Sequence, residues 1–412
     1  MRFLILGLNY LPESVSIGPY TADLAEYLCQ RGHHVQVITS FPHAPQWKIW
    51  DGYQSKWFMR EIINGVPALR TYLYVPQRPR KALNRILYDM SFTVSALLGA
   101  LTTGPCDALV VVSPPLQLGV TGWVLSLLKR APVFFHIQDL IPDAAVATGM
   151  LSENSWAVKV ARVLERFVYG RAHRIGVICD GYVRNLLAKG VPLDKIMLLP
   201  DYIDLEFMHP AERENEFRRE QGLRVQDFVV MYSGSVALKQ GLDTFVKAAA
   251  ALGDHSDIVF LLIGEGPYLF ELKEQAEQLR IPNLRFLPLQ PRTALPRQLA
   301  AADALVITQR KAITDMVFPG KLLCYMAAGR PVVAAVSIDS ETGRFIHENK
   351  VGLVVPPEDP AALAQAVLEL RQIGGKHLGE NGRRVVETRF NRQVVLRKFA
   401  EQIEALAAGR IQ

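Results

Sequence analysis

The sequence predicts an α/β fold of two doubly wound domains facing a central cleft. Three observations carry that expectation. Short apolar, β-branched runs alternate with amphipathic helical stretches along nearly the whole chain. The series breaks once, at 200–210 (PDYIDLEFMHP), and then restarts. The 412 residues, half of them hydrophobic, suit two cores of roughly 200 residues each. Domains are expected at 1–200 and 201–388, with 389–412 a terminal helix crossing back to the first domain.

Residues 2–8 (RFLILGL) read as the first strand, since an apolar run this short without a small-residue cleavage pattern is not a signal peptide. A loop over 9–19 leads to an amphipathic helix at 20–30, closed by Gly32, and 33–40 (HHVQVITS) is the second strand. Residues 108–128 are uncharged and long enough to cross a bilayer. However, Pro114-Pro115 splits them into a strand at 107–113, a turn and a helix, the pattern of a buried βα unit. The run 90–106 is shorter and contains Ser, Thr and Gly, so no membrane span is expected. A strand at 133–137, helix 157–169, strand 174–178, helix 182–189 and strand 196–199 complete the first domain. In the second, strands are expected at 228–233, 258–263, 285–287, 304–308, 331–336 and 352–355. Helices are expected at 242–252, 268–279, 297–301, 322–328, 360–369 and 392–407.

Composition excludes several classes. Four cysteines without paired spacing indicate neither a zinc site nor a disulfide framework, as in a cytosolic protein. The first loop is not G-x-G-x-x-G, which argues against a dinucleotide-dependent dehydrogenase. A P-loop, an Asp-x-Asp pair, a tight His/Cys/carboxylate cluster and a G-x-S-x-G elbow are all absent, so no metal site is indicated. Charge is uneven: residues 1–200 hold 20 Lys+Arg against 13 Asp+Glu, and 201–412 hold 26 against 27. Residues 48–85 combine eight cations with interleaved Trp and Tyr, which suits an anionic membrane surface. Nucleic acid is the competing partner for such a patch, but no nucleic-acid module accompanies it.

Candidate chemistry sits in loops ahead of helices. Gly234–Gly241 carries Lys239, Gly264–Pro267 (GEGP) is glycine-rich, and Pro319-Gly320-Lys321 opens another helix. Loops of this kind present backbone N–H groups and the positive end of a helix dipole to anions. If the three converge, two lysines and several helix starts describe a diphosphate site. Gly18, before the first helix, would let a ligand approach the backbone closely. His136 and Asp139, in HIQDLIPD, fall at a strand's carboxyl end, where doubly wound sheets bind ligands.

Taken in order, NYLPESVSIGPYTADLAEYLCQRGHHVQVIT, HIQDLIPD, LPDYID, YSGSVALKQGLDTF, LLIGEGP and the stretch through YMAAGRPVV resemble the retaining glycosyltransferases of family 4, over nearly the whole chain. FPHAPQW (41–47) and TDMVFPGKL (314–322) are most similar to the exopolysaccharide subgroup typified by the colanic acid fucosyltransferase. The resemblance implies the GT-B architecture of two Rossmann-like domains, the first holding the acceptor and the second a GDP- or UDP-linked sugar. It implies retention of configuration without a divalent metal or other cofactor. The implied acceptor is a lipid-linked or oligosaccharide glycan, at the cytoplasmic face of the membrane. By position, His136, Lys239 and Lys321 would carry catalysis, the lysines on the diphosphate and His136 on a sugar hydroxyl. Gly18, Gly234, Glu265, Gly266, Asp315, Pro319 and Gly320 complete the implied donor site, and Trp47 and Asp139 the acceptor side. The family's paired glutamates are replaced by Met316 and Cys324, which leaves a non-catalytic nucleotide-sugar-binding member as another reading, and the shared two-domain fold leaves a nucleotide-sugar 2-epimerase as a third.

Overall fold

The computed structural model describes residues 1–13, 17–77, 82–147, 151–311 and 320–409. The chain divides into two compact units, Met1–Pro200 with Val395–Gln412, and Asp201–Val394.

The first unit runs β1 (Arg2–Leu6), α1 (Gly18–Gln30), β2 (His34–Ser40), β3 (Phe58–Ile63), β4 (Val66–Thr71) and α2 (Ala82–Leu101). It continues with β5 (Ala108–Ser113), α3 (Leu118–Lys129), β6 (Val133–Ile137), α4 (Ile141–Ala147), α5 (Trp156–Arg171), β7 (Arg174–Val177), α6 (Asp180–Ala188) and β8 (Ile196–Leu198). The sheet order is β3-β4-β2-β1-β5-β6-β7-β8, parallel except for the β3–β4 hairpin at its edge. Every residue of β5 (ALVVVS) is buried, as expected for a central parallel strand covered on both faces. Strand order reverses between β1 and β5, and the loops after such strands form the ligand-binding crevice of a doubly wound sheet.

The second unit runs α7 (Glu216–Glu220), β9 (Phe228–Ser233), α8 (Asp243–Ala251), β10 (Ile258–Ile263), α9 (Leu269–Gln278), β11 (Leu284–Leu287) and α10 (Leu295–Ala300). Then come β12 (Ala304–Thr308), α11 (Gly320–Ala327), β13 (Val332–Ala335), α12 (Glu341–Glu348), β14 (Gly352–Val355), α13 (Pro360–Ile373) and α14 (Lys376–Arg389). Its sheet is wholly parallel, in the order β11-β10-β9-β12-β13-β14, with the reversal between β9 and β12. Alternate side chains feed two cores: Val229 and Met231 pack with Leu322 and Met326 of α11, Val230 and Tyr232 with Phe245 and Val246 of α8. Local signals set the helix ends. At α13, the Asp359 side chain accepts from Ala362 N, Pro360 opens the first turn, and Gly374 closes the helix at φ 67°.

A last helix, α15 (Arg392–Ala407), belongs to the first unit from Val395 onward. Phe399 packs on Phe134 at 5.2 Å between ring centroids. Glu404 accepts from both Arg31 Nε (2.7 Å) and Nη2 (2.9 Å) and lies 2.8 Å from His33 Nε2.

Candidate active site

The three glycine-rich loops of the second unit were expected to converge, and two of them are woven together at the carboxyl ends of β9 and β10. Val236 N donates to Glu265 O (2.8 Å) and Tyr268 N to Val236 O (3.2 Å). A Cβ on Gly264 (φ 158°) would lie 1.9 Å from Gly234 O, and one on Gly266 (φ 156°) 2.1 Å from Val236 O. Only glycine permits both the conformation and the approach. The chain beyond β12 ties in as well: Arg310 N donates to Lys239 O (3.2 Å), and Thr308 Oγ1 to Gln240 O (2.5 Å).

Helix α11 brings Lys321 to the same edge. Its position follows from Tyr325, one turn on, whose hydroxyl accepts from Ser233 N (3.1 Å) and donates to Ser233 O (3.2 Å). Lys321 Nζ donates to the Tyr232 hydroxyl (2.6 Å), which donates to Ser235 O (2.7 Å), and lies 4.0 Å from the Tyr232 ring centroid. A Cβ on Gly234 would be 3.3 Å from that amine. Burial, and secondarily the charge of Lys239, push Lys321 down to about 7. Lys239 and the Glu265 side chain are exposed, as are Gly266 and Gly320. Among the described residues no carboxylate pairs with this amine, which stands beside exposed backbone and a second lysine at the sheet's switch point. Asp315, Met316 and Pro319 lie outside the described residues. Cys324, the other replacement of a family glutamate, is mostly buried, and its thiol is pushed up to about 11 by that burial.

In the first unit the structure assembles a cluster that sequence reasoning missed. Glu13, fully buried, accepts from His43 N (2.6 Å), Ala44 N (2.7 Å) and Asn9 Nδ2 (2.9 Å), stapling the loop after β1 to the segment after β2. His43 Nδ1 faces Phe41 O (2.9 Å), so Nδ1 carries the hydrogen and Nε2 accepts from the Tyr88 hydroxyl (2.7 Å). Burial holds the imidazole below its ordinary pKa, against the opposing pull of Glu13. Arg85 lies over the Tyr88 and Trp47 rings, 5.0 and 5.6 Å from their centroids. Asp89, buried beside it, is pushed up to about 6 by desolvation, with Arg85 opposing. Trp47 is thus an outer wall of this cluster. The FPHAPQW motif and the stretch at 9–19, which holds Glu13, were the available signals, but Tyr88 comes from a separate stretch without one.

Two expected site residues are placed differently. His136 does not face an open edge: it is 5% exposed, 4.9 Å from the Phe399 ring, with Nδ1 against Gly176. The pleat points it under α15, and burial holds it neutral, down to about 4. Its Nε2 meets Gln138 Nε2 at 2.8 Å, and Gln138 and Asp139 stand beyond the strand's end, Asp139 exposed. Gly18 is buried, and the space its Cβ would take is filled by the protein's own loop, with Glu13 O at 3.1 Å and Tyr10 N at 3.3 Å. The basic stretch 48–85 is also divided. Arg70 is fully buried, paired with Glu61 and donating to Ser40 O (2.8 Å) and Leu11 O. Lys48, Lys56 and Arg60 are exposed, and Arg78, Arg80 and Lys81 lie outside the described residues. Among the described residues no group of three His, Cys, Asp or Glu side chains is arranged to hold a metal ion.

Comparison with known proteins bears on these sites. Residues 16–201 match the family described as "Glycosyl transferase 4-like domain", and residues 213–385 "Glycosyl transferases group 1". The chain is 30% identical over 411 residues to WcaI of Escherichia coli (strain K12), named as a colanic acid biosynthesis glycosyl transferase, covering 98% of this chain and 100% of that one. WbjE of Pseudomonas aeruginosa, named as a glycosyltransferase, is 26% identical over 78% of each chain. Among solved structures, sucrose-phosphate synthase from Thermosynechococcus elongatus superposes with a TM-score of 0.74 at 18% identity over 99% of both chains. Anabaena HepE in complex with UDP-glucose superposes at 0.68 and 16% identity, over 98% of this chain and 100% of that one. The chain belongs to glycosyltransferase family 4 and has the GT-B fold.

Proposed function

We propose that this glycosyltransferase moves a hexose-type sugar from a nucleoside diphosphate to a lipid-linked or oligosaccharide acceptor, with retention of configuration and without a divalent metal. The reaction serves exopolysaccharide synthesis at the cytoplasmic face of the membrane. The observation that carries this reading is Lys321, a half-buried amine held down to about 7, between Gly234 and Tyr232 and paired with no carboxylate among the described residues. A diphosphate would supply a counter-charge to such an amine. The UDP and UDP-glucose complexes of HepE support a nucleotide-sugar donor, and the names of WcaI and of amylovoran glycosyltransferase AmsK of Erwinia amylovora support the polysaccharide setting.

The chemistry follows from charge development. As the bond between the anomeric carbon and the phosphate oxygen breaks, negative charge grows on the leaving diphosphate. Lys321, Lys239 and the backbone amides of the two glycine loops stabilise that charge more in the transition state than in the ground state. The acceptor hydroxyl attacks from the same face, and its proton passes to the departing phosphate oxygen. The products are the glycoside and the nucleoside diphosphate. The Glu13–His43–Tyr88 cluster orients the acceptor beside Trp47. His136 acts through Gln138 as a positioning residue.

The test measures nucleoside diphosphate release from GDP- and UDP-sugars on membrane extract, with and without EDTA. Release with one donor, unchanged by EDTA and lost in Lys321→Ala, is expected. Release that vanishes with EDTA would overturn the metal-free reading, and binding without release on any acceptor would favour a non-catalytic member.

A further inference from the structure

Helix α2 is apolar on both sides. The side it buries carries Tyr88, Phe92, Ala96 and Ala100 together with Asp89, Thr93 and Ser95, whose Oγ donates to Tyr72 O (2.5 Å), and Gly99 sits against Thr71 and Leu69. Its outward side carries Leu83, Leu87, Met90, Val94, Leu98 and Leu101, each between 41% and 67% exposed. These recur every three or four residues, a stripe about 27 Å long at the helical rise. Helix α3, packed beside it, continues the apolar surface with exposed Leu127 and Leu128. Helix α5, packed on α3, adds Trp156, Val160 and Val163. Exposed apolar side chains gathered on three neighbouring helices mark an interaction site.

The charges select the occupant. Of the cations on helices α2, α3 and α5, Lys159, Arg166 and Arg171 are exposed, whereas Arg85 is stacked on aromatic rings, Arg162 is paired with Asp143 and Glu165, and Lys129 donates to the carbonyls of Thr103 and Gly104. The helices' two carboxylates are Asp89 and Glu165. Both carboxylates are buried, so the outward surface of the three helices carries no negative group. Apolar side chains interleaved with cations alone suit the interface of an anionic bilayer. Among the described residues no helix is long and apolar enough to cross a membrane.

We propose that the outer face of α2, α3 and α5 seats this enzyme in the surface of an anionic bilayer, with α2 lying in the interface plane. The anchoring surface is then this helical layer rather than the stretch 48–85, in which Arg70 is buried and Arg85 is stacked on aromatic rings. The inference goes beyond the catalytic reading and fails separately from it, because vesicle binding is read without any nucleotide.

The test is flotation of the full chain with phosphatidylcholine vesicles, with and without phosphatidylglycerol. The parent protein should float with the anionic vesicles and much less with the neutral ones. Met90→Glu/Val94→Glu/Leu98→Glu should lower the bound fraction at least about tenfold, with an unchanged melting temperature. Lys159→Glu/Arg166→Glu, on exposed positions of α5, should weaken binding to the anionic vesicles alone and keeps the test decisive if the triple variant folds poorly. Flotation of both variants like the parent, or of the parent with neither vesicle, would overturn the proposal. So would a dimer in light scattering that the triple variant dissolves, because a second copy would then cover the face.

Discussion

Removing the Lys321 amine should stabilise the enzyme and destroy its donor site together. In the free protein the amine is held at about 7 by burial and by Lys239, well under the ordinary lysine value of 10.5. A bound diphosphate needs it charged, so binding takes up a proton at neutral and higher pH. If the bound-state pKa is about 10 or higher, the Kd for UDP or GDP should rise about 50-fold between pH 7 and pH 9, roughly 2.3 kcal/mol. For folding, the unfolded chain binds the proton more tightly, so stability rises with pH between about 7 and 10 and the full penalty is present below that window. The penalty is of order 4 kcal/mol. Lys321→Met should therefore raise the melting temperature near pH 7 by several degrees. Calorimetric titration in buffers of different ionisation enthalpy measures the proton uptake directly. A Kd flat from pH 7 to pH 9, or a Lys321→Met protein that binds the nucleotides like the parent, would refute the reasoning. Lys239→Ala supplies the internal control, since removing its charge should move the steep part of the profile to higher pH.

Other expectations follow from the same structure. Gly264→Ala forces a Cβ to 1.9 Å from Gly234 O at a positive φ, and should lower stability by about 3 kcal/mol and weaken nucleotide binding, both read by thermal shift. Asp89, raised to about 6 by burial, makes the folded state bind more protons than the unfolded one between about pH 4 and 6, so stability falls as pH rises through that range. Asp89→Asn should remove the fall and gain about 2 kcal/mol at pH 7 with little change at pH 4, by urea denaturation. Phe399→Ala empties the space over Phe134 and His136 and should cost roughly 3–5 kcal/mol in the first unit. It should also bring the His136 imidazole back toward its solution pKa, seen by NMR titration.

The meeting of the glycine loops was legible because its geometry is local. Glycines at 234, 264 and 266 and Lys239 stand in short segments between a strand and a helix, Lys321 opens α11, and the parallel sheet aligns these segments on one edge. The first-unit cluster was not, because Glu13, His43 and Tyr88 meet only through the order in which β1 and β2 pair and α2 packs. Arg70 read as a surface charge in a basic stretch, since nothing local announces that Ser40 and Leu11 carbonyls will enclose it. The hairpin β3–β4 and helix α2 escaped for a related reason. An edge hairpin lacks the long apolar run of a central strand, and α2 turns its large aliphatics outward, so its pattern does not point to a core. His136 was placed one pleat wrong: a residue counted toward the end of β6 still follows the alternation that sends its ring beneath α15.

The interlock of the two glycine loops has a consequence for any exchange of these loops between relatives. Each loop supplies the wall against which the other is moulded, Gly264 and Gly266 pressed on the carbonyls of 234 and 236 and Val236 bonded to Glu265. Exchanging either loop alone with that of a relative would pair a casting with the wrong mould. Chimeras should transplant residues 234–241 and 264–268 as one cassette, together with Arg310, which pins the backbone of the first loop.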